Sequence, residues 1–410
     1  MAAGASTLTT LNKLFKTKYD QKMLEFMAYS DDVGLALSRK DRNFGGNDAR
    51  VSLGYGDPQG GSSVFATAQA NASSNLDIGF LLTRVNDYHV ATITGEAIDA
   101  GKGDENTIYD SMKRVMDGAM RMAKSSLEIA FWGAGGGARG KVASGQGTPT
   151  VTLSDITSVV NFEVGMVVSG ADGDGSLTAH AARTGTATIT AVDRDAGTLT
   201  ISGNWTSSIT SLAANDFLFR SGDFKAVAKG VKAWIPASAP TSGDSFFGVD
   251  RSVDTTRLAG CRFTGTGSYE ETLVKAEARR TREGGKKGAV CVVNTEQFPD
   301  IALSLQSKAH YDPVKDKEGI FSFASLKFHG PNGDLPIVAS PRVGRGTFHI
   351  LQPDTWVIKS NGGAPKVIDT DGLQIMRSAS LDQYEIRMVS RWQIACEAPA
   401  FNLTGTFAQT

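Results

Sequence analysis

One long alternating segment constrains the fold of this chain more than any other feature. Within residues 384–396, the apolar residues Ile386, Met388, Trp392 and Ile394 share one set of alternate positions, and mostly polar residues fill the other set. Successive side chains of a β-strand point to opposite faces. The pattern therefore predicts a single strand with an apolar face and a mostly polar face. At about 3.3 Å per residue, this strand spans roughly 43 Å.

A helix of similar length is predicted from about Glu105 to Phe131. Its start is marked by a capping residue, Asp104 or Asn106, and its end by the glycines 135–137. At about 1.5 Å per residue it is roughly 40 Å long. Apolar residues recur at three- and four-residue spacing and predict a core face; they are Ile108, Met112, Val115, Met116, Ala119, Met122, Ala123 and Ala130. Two long elements of matched length favour an elongated, flat subunit over an enzyme built around a pocket.

Composition excludes several classes of protein. The 42 basic and 43 acidic residues leave a formal charge of −1, so no global attraction to nucleic acid or to an anionic membrane is expected. The three cysteines are far apart and predict buried thiols in a reducing compartment. The N-terminus lacks the apolar core of a secretory signal, and no apolar run is long enough to span a membrane. We therefore expect folding in cytoplasm.

The first hundred residues divide into two parts. Residues 1–43 are predicted to form an N-terminal arm, in which Lys13 and Lys16 belong either to a solvated surface helix or to a docking surface for a neighbouring subunit. Residues 44–101 are rich in glycine turns and too poor in apolar residues to form a core, so they predict an extended hairpin packed on another part of the structure. This hairpin contains no lysine.

The middle of the chain contains a compositional island. Residues 143–224 have no lysine, three arginines and eight acidic residues, which gives a local charge of 3 − 8 = −5. Short β-prone runs separated by turns predict a small all-β domain inserted in a loop. Residues 263–378 predict a mixed α/β region. The fold class is therefore α+β with an all-β insertion.

No motif supports catalysis, a cofactor or a metal site. Residues 135–141 satisfy the GxxxxGK pattern of a phosphate-binding loop, but Val142 follows where Ser or Thr is needed. A helix precedes the segment instead of a strand, so we interpret it as a flexible linker. Asp172 and Asp174 lie in a fragment of a calcium-loop pattern that lacks the distal glutamate and is interpreted as a surface turn. The five histidines show no metal-binding spacing, and we expect the protein not to be an enzyme.

The order of elements, together with several short stretches, resembles the major capsid proteins of tailed bacteriophages. Their fold is named after bacteriophage Hong Kong 97 and also occurs in encapsulin compartments. The resemblance is carried by the stretches 247–251 with 258–259, 272–294 with Phe298 and Leu303, 335–341 with 346–350, and 384–385 with 398–401 and 405–407.

The resemblance implies a division of the chain into parts. These are an N-terminal arm at 1–43, an extended loop at 44–101, a peripheral domain with its spine helix at 102–142, the inserted all-β domain at 143–224, a peripheral continuation at 225–262, an axial domain at 263–378, and the closing strand of the peripheral domain at 379–410. The extended loop would reach over a neighbouring subunit, and the closing strand would lie beside the spine helix.

The resemblance also implies partners and a location. Many copies in hexamers and pentamers would form an icosahedral shell in the virion, assembled in the host cytoplasm around double-stranded DNA contacted non-specifically. No membrane is involved. Some members lock the shell with a Lys–Asn isopeptide bond whose lysine lies on the extended loop. This loop has no lysine, so we expect a non-covalent shell. The arm is short, so we expect a separate scaffolding protein besides the portal. The acidic insertion suggests a basic neighbour or a decoration protein, or else a solvated domain.

Two alternatives remain open at this point. One is an encapsulin-like compartment, and the other is a β-rich adhesin or tail component. Arg50 and Arg84 on the extended loop are predicted to form inter-subunit ion pairs, with Lys13 and Lys16 as further contacts. The predicted core of the peripheral domain pairs the strand face with the helix; it comprises Met112, Met116, Ala119, Ile386, Met388, Trp392 and Ile394.

Overall fold

The computed structural model describes residues 32–96, 105–305, 326–369, 375–378 and 381–408. Its first part runs from a short helix into a long β-ribbon. The elements are α1 (Val33–Leu37), β1 (Arg39–Asp41), β2 (Asp48–Gly56), α2 (Phe65–Ala70), β3 (Leu76–Thr83) and β4 (Val85–Thr94). Strands β2 and β3 pair with each other, and we call residues 48–83 the ribbon. The predicted hairpin is thus only part of segment 44–101, because β4 leaves β3 and joins a different sheet.

The spine helix, α3 (Glu105–Trp132), has 28 residues and ends one residue beyond the predicted boundary. Its buried side includes Met116, Ala119, Ala123 and Ala130 of the predicted stripe. The prediction was wrong for Met122, which is 43% exposed because it lies on the solvent side of the helix. Periodic apolar residues place one stripe of the helix against the rest of the subunit, which fixes its rotation about its own axis.

A closed six-stranded barrel follows the spine helix. Its elements are β5 (Ala138–Ser144), β6 (Thr150–Leu153), β7 (Val167–Ala171), β8 (Ala187–Asp193), β9 (Thr198–Ile201), α4 (Trp205–Ser208) and β10 (Phe217–Arg220), with a 3₁₀ turn at Ile156–Asn161. Neighbouring strands pair in the order β10-β5-β6-β9-β8-β7, and β7 closes on β10. We call residues 138–220 the barrel; Val142, Leu199, Trp205 and Leu218 lie in its core.

The interpretation of residues 135–142 as a flexible linker was wrong. Strand β5 begins at Ala138, five residues before the predicted start of the insertion at 143, and pairs with both β6 and β10. Arg139 on this strand is buried. It donates to the carbonyl of Asn161 at 3.1 Å and lies 3.6 Å from the carboxylate of Asp223. A polar sequence can form a strand with a buried arginine here because tertiary partners offset the burial of its charge.

The remaining elements build the rest of the subunit. They are α5 (Val231–Trp234), β11 (Cys261–Thr264), α6 (Tyr269–Arg282), β12 (Val290–Asn294), α7 (Gln297–Leu305), β13 (Leu326–Gly330), β14 (Gly333–Ser340), β15 (Thr347–Leu351), β16 (Trp356–Ser360), β17 (Lys366–Val367), β18 (Ile375–Arg377), β19 (Gln383–Cys396) and β20 (Leu403–Thr406), with 3₁₀ turns at Arg251–Asp254, Pro353–Thr355 and Pro399–Phe401.

The predicted long strand, β19, organises the first of two larger sheets. On one edge it pairs in turn with β16, β17 and β18, and on the other edge it pairs with β4 over ten residues. Strand β1 adds to β16 in parallel. The spine helix packs on β4 and β19.

The prediction of a polar face along the whole of β19 was wrong for its second half. From Trp392 to Cys396 both faces are buried. Gln393 points away from the apolar face, yet its amide donates to the carbonyl of Thr83 at 2.9 Å and its oxygen accepts from the backbone N–H of Lys229 at 2.8 Å. Both faces of this half are therefore covered, and the one polar side chain is satisfied by hydrogen bonds.

The second sheet belongs to the α/β region, with strand order β11-β20-β15-β12-β14-β13. Strand β20 pairs in parallel with β11 and antiparallel with β15. Helix α6 and this sheet enclose a second core around Leu273, Cys291, Ile337 and Phe348. The described residues thus form three cores: one around the spine helix, one in the barrel and one in this sheet.

Candidate intersubunit surface

The predicted peripheral core lies on the spine-helix side of β19. Ile386, Met388, Trp392 and Ile394 are at most 2% exposed and share one buried cluster with Met116 and Ala119 of the spine helix. The Met112 side chain lies outside the described residues. This side of the first sheet is therefore covered within the single chain and offers no free surface to a partner.

The base of the ribbon is held firmly by the same core. Phe80 is fully buried against Trp234 and Phe246, with ring centroids 5.1 and 6.3 Å away. The backbone N–H of Leu81 donates to the carbonyl of Phe247 at 3.0 Å. Aromatic packing of this kind fixes the direction in which the ribbon leaves the body.

The outer half of the ribbon, in contrast, has almost no contact with the rest of the subunit. No residue of α2 is buried, and Phe65 is 81% exposed. Val64 and Leu76 beside it are 56% and 49% exposed. Large apolar side chains grouped at a protruding tip are typical of protein interaction sites. We call residues 57–77 the tip.

The residues predicted to contact a neighbouring subunit lie in different parts of the chain. Arg50 is exposed on β2, and its side chain lies over Gly79 in the space that a Cβ would occupy. Arg84 lies at the ribbon base and donates to Asn47 at 3.4 Å. Lys13 and Lys16 lie outside the described residues. The ribbon therefore carries Arg50 where a neighbour could reach it, whereas Arg84 is engaged near the body; the intersubunit role of both stays a prediction.

The barrel is tied to the body by a partly buried ionic cluster. Arg220 of β10 lies 2.6 Å from Asp87 of β4 and 2.9 Å from Asp223, and Ser126 of the spine helix donates to Asp87 at 2.5 Å. Burial raises the pKa of Asp87, but His89, Arg220 and Ser126 lower it more, so the net shift is downward. Asp87 therefore stays charged and links three elements.

A second tie is made by Arg342, which sequence reasoning missed. Its guanidinium lies 3.1 Å from Glu128 and donates to Ser125 at 2.9 Å, both on the spine helix. It also donates to Asn161 of the barrel at 2.7 Å and to the carbonyl of Val160 at 3.1 Å. One side chain from the loop after β14 thus joins the spine helix to the barrel.

The observed limits of the barrel change its charge. Strand β5 adds Arg139 and Lys141, and Lys225 donates to the carbonyls of Thr178 and His180 in the barrel. Over 138–220 there are five basic and seven acidic residues, which gives 5 − 7 = −2 instead of −5. The electrostatic argument for a basic partner of the barrel is correspondingly weaker.

A cavity of about 320 Å³ lies between the end of the spine helix, the barrel and the loop after β14. The GxxxxGK segment lines it, but the spine helix presents its C-terminal carbonyl end here, the opposite of an anion site. Lys232 also lines it; burial lowers its pKa, and Asp155 and Asp174 act against this shift. Four basic and two acidic residues line the cavity, but Arg139 and Arg342 pair with Asp223 and Glu128. Lys141 and Lys232 are then matched in number by Asp155 and Asp174, so the lining gives no argument for a phosphate site.

The described residues lack a metal-binding cluster and a reactive thiol. No group of three or more His, Cys, Asp or Glu side chains in these ranges could hold a metal ion. Cys261, Cys291 and Cys396 are buried free thiols, as predicted. Burial raises the pKa of Cys261 to about 11 and that of Cys396 to about 12, which makes both poor nucleophiles. No helix within the described ranges has the length and apolar character needed to cross a bilayer.

The architecture combines a spine helix on a long sheet, a closed barrel, an α/β region and a protruding ribbon. It is similar to the capsid asymmetric unit of cyanophage A-1(L), with a TM-score of 0.50 at 10% identity over 95% of this chain and 93% of that chain. The capsid of a native GTA particle gives 0.45 at 8% identity over 93% and 90%. The procapsid of satellite phage P4, which includes the size determination protein Sid, gives 0.41 at 10% identity over 99% and 98%.

The first of these structures assigns the fold: the chain has the mixed helix-and-strand fold of a phage capsid protein, and the resemblance inferred from the sequence is confirmed at this level. No protein-family model matches the sequence, and no curated protein matches it either.

Proposed function

We propose that this protein is the major capsid protein of a tailed bacteriophage. Many copies, arranged in hexamers and pentamers, form an icosahedral shell around double-stranded DNA in the virion, after assembly in the host cytoplasm. The observation that carries the proposal is the tip, where Phe65 is 81% exposed on a subunit whose fold is similar to that of a phage capsid protein. The tip gains buried apolar area only when a second copy covers it.

Electron microscopy of the purified protein, co-expressed with the scaffolding protein of its phage, tests this proposal. The wild type should form closed shells, and Phe65→Ser should form none while its thermal unfolding is unchanged, because Phe65 contacts little of its own subunit. Leu177→Ser is the matched control, since Leu177 is 60% exposed on the barrel. Shell formation by the Phe65 variant would remove the tip from the proposal, and the absence of shells from the wild type would overturn it.

The shell is held without covalent cross-links. No lysine occurs in the ribbon or elsewhere between Lys40 and Lys102, so the ribbon offers no amine for an isopeptide bond. Denaturing electrophoresis of boiled particles should give a single band at the mass of the monomer. A ladder of covalent oligomers would contradict this part of the proposal.

The remaining partners follow from the same function. A separate scaffolding protein and a portal take part in assembly, and the barrel either contacts a neighbour or decoration protein or is a solvated domain. These roles are distinguished by deleting residues 143–219 and measuring the thermal stability of the shells. This deletion leaves Arg220 opposite Asp87. Nothing in the comparisons favours a compartment or an adhesin; cargo peptides inside purified shells would favour the compartment.

A further inference from the structure

Both connections between the barrel and the body are contacted by one loop of the barrel. The chain enters the barrel through residues 133–137 and leaves it through residues 221–226, and we call these two segments the neck. We call residues 172–180, which lie between β7 and β8, the clasp. A Cβ added to Gly136 would overlap the carbonyl oxygen of Asp174 and would lie 2.7 Å from the Cα atom of Gly175. The clasp and the neck are therefore in direct backbone contact.

Lys225 joins the two segments of the neck to the clasp. Its backbone N–H donates to the carbonyl of Gly136 at 2.9 Å, and its Nζ donates to the carbonyls of Thr178 and His180 at 2.9 and 2.6 Å. Its φ of 59° lies in the left-handed region, which is unfavourable for a residue other than glycine and persists only where the surroundings hold it. The contacts with the clasp thus stabilise a neck conformation that is unfavourable by itself.

The clasp contains one nitrogen atom whose two neighbours require opposite roles. Nδ1 of His180 accepts from the backbone N–H of Gly175 at 3.1 Å, so it carries a lone pair and the ring is neutral. The same atom lies 3.3 Å from a carboxylate oxygen of Asp174, which can only accept while it is ionised. A proton on Nδ1 would create a bond to Asp174 and remove the bond from Gly175. The ring cannot satisfy both neighbours in either protonation state.

Loss of the Gly175 bond is the larger of these two effects. Gly175 is buried, and a buried amide without a partner costs more than a partly exposed ion pair contributes. The side chains of His180 and Asp174 are 22% and 34% exposed, so water weakens their attraction. Protonation of His180 therefore favours movement of Gly175 away from the neck, to a position where water can accept from its N–H.

The charged groups around the clasp include only one that ordinarily changes its charge between pH 5 and 8, which is the imidazole. The other charged residues are Asp172, Asp174, Arg183, Lys225 and Lys232. Burial lowers the pKa of Lys232, which lines the cavity together with Asp174. Substitutions at position 180 leave both of these residues in place, so a comparison of such variants isolates the histidine.

We propose that His180 is a pH-sensitive switch: the clasp holds the neck when the imidazole is neutral and releases it when Nδ1 gains a proton. The switch belongs to the single chain and goes beyond the proposed assembly. The barrel stays folded on release, since none of its core residues belongs to the clasp. The ion pairs of Arg220 and Arg342 also stay in place, because their partners lie outside the clasp. Release therefore loosens the barrel on the body without detaching it.

Hydrogen–deuterium exchange of the unassembled full chain at pH 5.5 and pH 7.5, measured by mass spectrometry, tests this inference. Rates are corrected for the intrinsic pH dependence of exchange, which is measured on the unfolded chain. A solvated histidine is half protonated near pH 6.5, so an opening that admits one proton should become about tenfold more frequent at the lower pH. Peptides that contain Gly136 or Gly175 should show this increase, and peptides from β8 and β9 should not.

Two substitutions of His180 separate the effect of the proton from that of the acceptor. Asparagine carries an acceptor oxygen close to the position of Nδ1 and does not titrate, so H180N should exchange slowly at both pH values. Glutamine carries its acceptor one carbon farther from the backbone, so H180Q should exchange fast at both. Leu177→Ser is the matched control, because Leu177 is 60% exposed in the same loop, and it should respond as the wild type does. Circular dichroism verifies that the variants are folded.

Several outcomes would overturn the switch. Equal corrected rates at the two pH values in the wild type would show that no switch operates. The same increase in H180N as in the wild type would assign the response to another group, and slow exchange in H180Q at both pH values would show that the Gly175 bond does not hold the clasp. An equal increase in β8 and β9 would indicate unfolding of the whole barrel instead. Shell formation is measured separately by electron microscopy, so failure of the switch leaves the capsid function untouched.

Discussion

Substitution of Trp392 by glutamate should abolish shell assembly by preventing the subunit from folding. Trp392 is 2% exposed, in register with Val85 of β4 and Ser360 of β16. Removing a large aromatic side chain from such a position costs about 3–5 kcal/mol, against a total stability of about 5–15 kcal/mol for typical domains. A carboxylate left unpaired in the same space adds several kcal/mol more. The two contributions together are comparable to the whole stability of an ordinary domain, so little or no folded subunit should remain.

The assay is thermal unfolding of the soluble fraction, followed by electron microscopy of the particles. Arg391→Glu is the matched control, because Arg391 is adjacent to Trp392 on the same strand but is exposed. Its unfolding free energy should change by no more than about 0.5 kcal/mol. A soluble Trp392→Glu subunit that unfolds at the wild-type temperature would refute the assignment of this strand face to the core, and with it the packing of β19 on the spine helix.

Three further predictions test other parts of the subunit. Arg342→Leu should lower the unfolding free energy by about 3–5 kcal/mol, because it leaves the buried Glu128 unpaired, and calorimetry of R342L and R342L/E128L should show partial recovery in the double variant. Burial and the nearby Lys232 lower the pKa of His349 to about 3, so the folded state excludes a proton that the unfolded chain binds; stability should fall from about pH 6.5 toward pH 3 by up to about 1.4 kcal/mol per pH unit, and H349F should flatten this dependence in denaturant titrations. Gly136→Ala should lower the midpoint of thermal unfolding, because the new Cβ would collide with the backbone carbonyl of Asp174.

The controls for these predictions use the same chain. Gly147→Ala should leave the midpoint unchanged, since no atom lies within 4 Å of the added Cβ. If acid lowers the denaturant midpoint of H349F below its pH 7 value as much as it lowers that of the wild type, groups other than His349 cause the acid sensitivity. If R342L/E128L were no more stable than R342L, the unpaired Glu128 charge would not be the cause of the loss.

The two longest elements could be predicted because each repeats its period many times. A stripe at helical spacing and a strict alternation are strong signals over long windows. Strand β5 could not be predicted in this way. Its glycine and its cations resemble those of a linker, and the partners that allow Arg139 to be buried, Asn161 and Asp223, are distant in sequence.

The surface was predictable only in outline. The glycine-rich stretch after Phe44 indicated an extended hairpin packed on another part of the structure, but no local signal showed that Phe65 would be exposed at its tip. Arg342 carries no signal at all, since it is a single arginine whose partners Ser125 and Asn161 lie 217 and 181 residues away. Such contacts depend on how three separately folded regions meet, and sequence periodicity contains no information on that geometry.

The position of β19 and β20 in the two sheets has a consequence for synthesis of the subunit. Residues 383–406 supply an interior strand to each sheet: β19 lies between β4 and β16 in the first, and β20 lies between β11 and β15 in the second. While these residues are still inside the ribosome, neither sheet can close, although the barrel strands are complete by residue 220. Incomplete chains therefore lack an interior strand of each sheet, although they already contain every strand of the barrel.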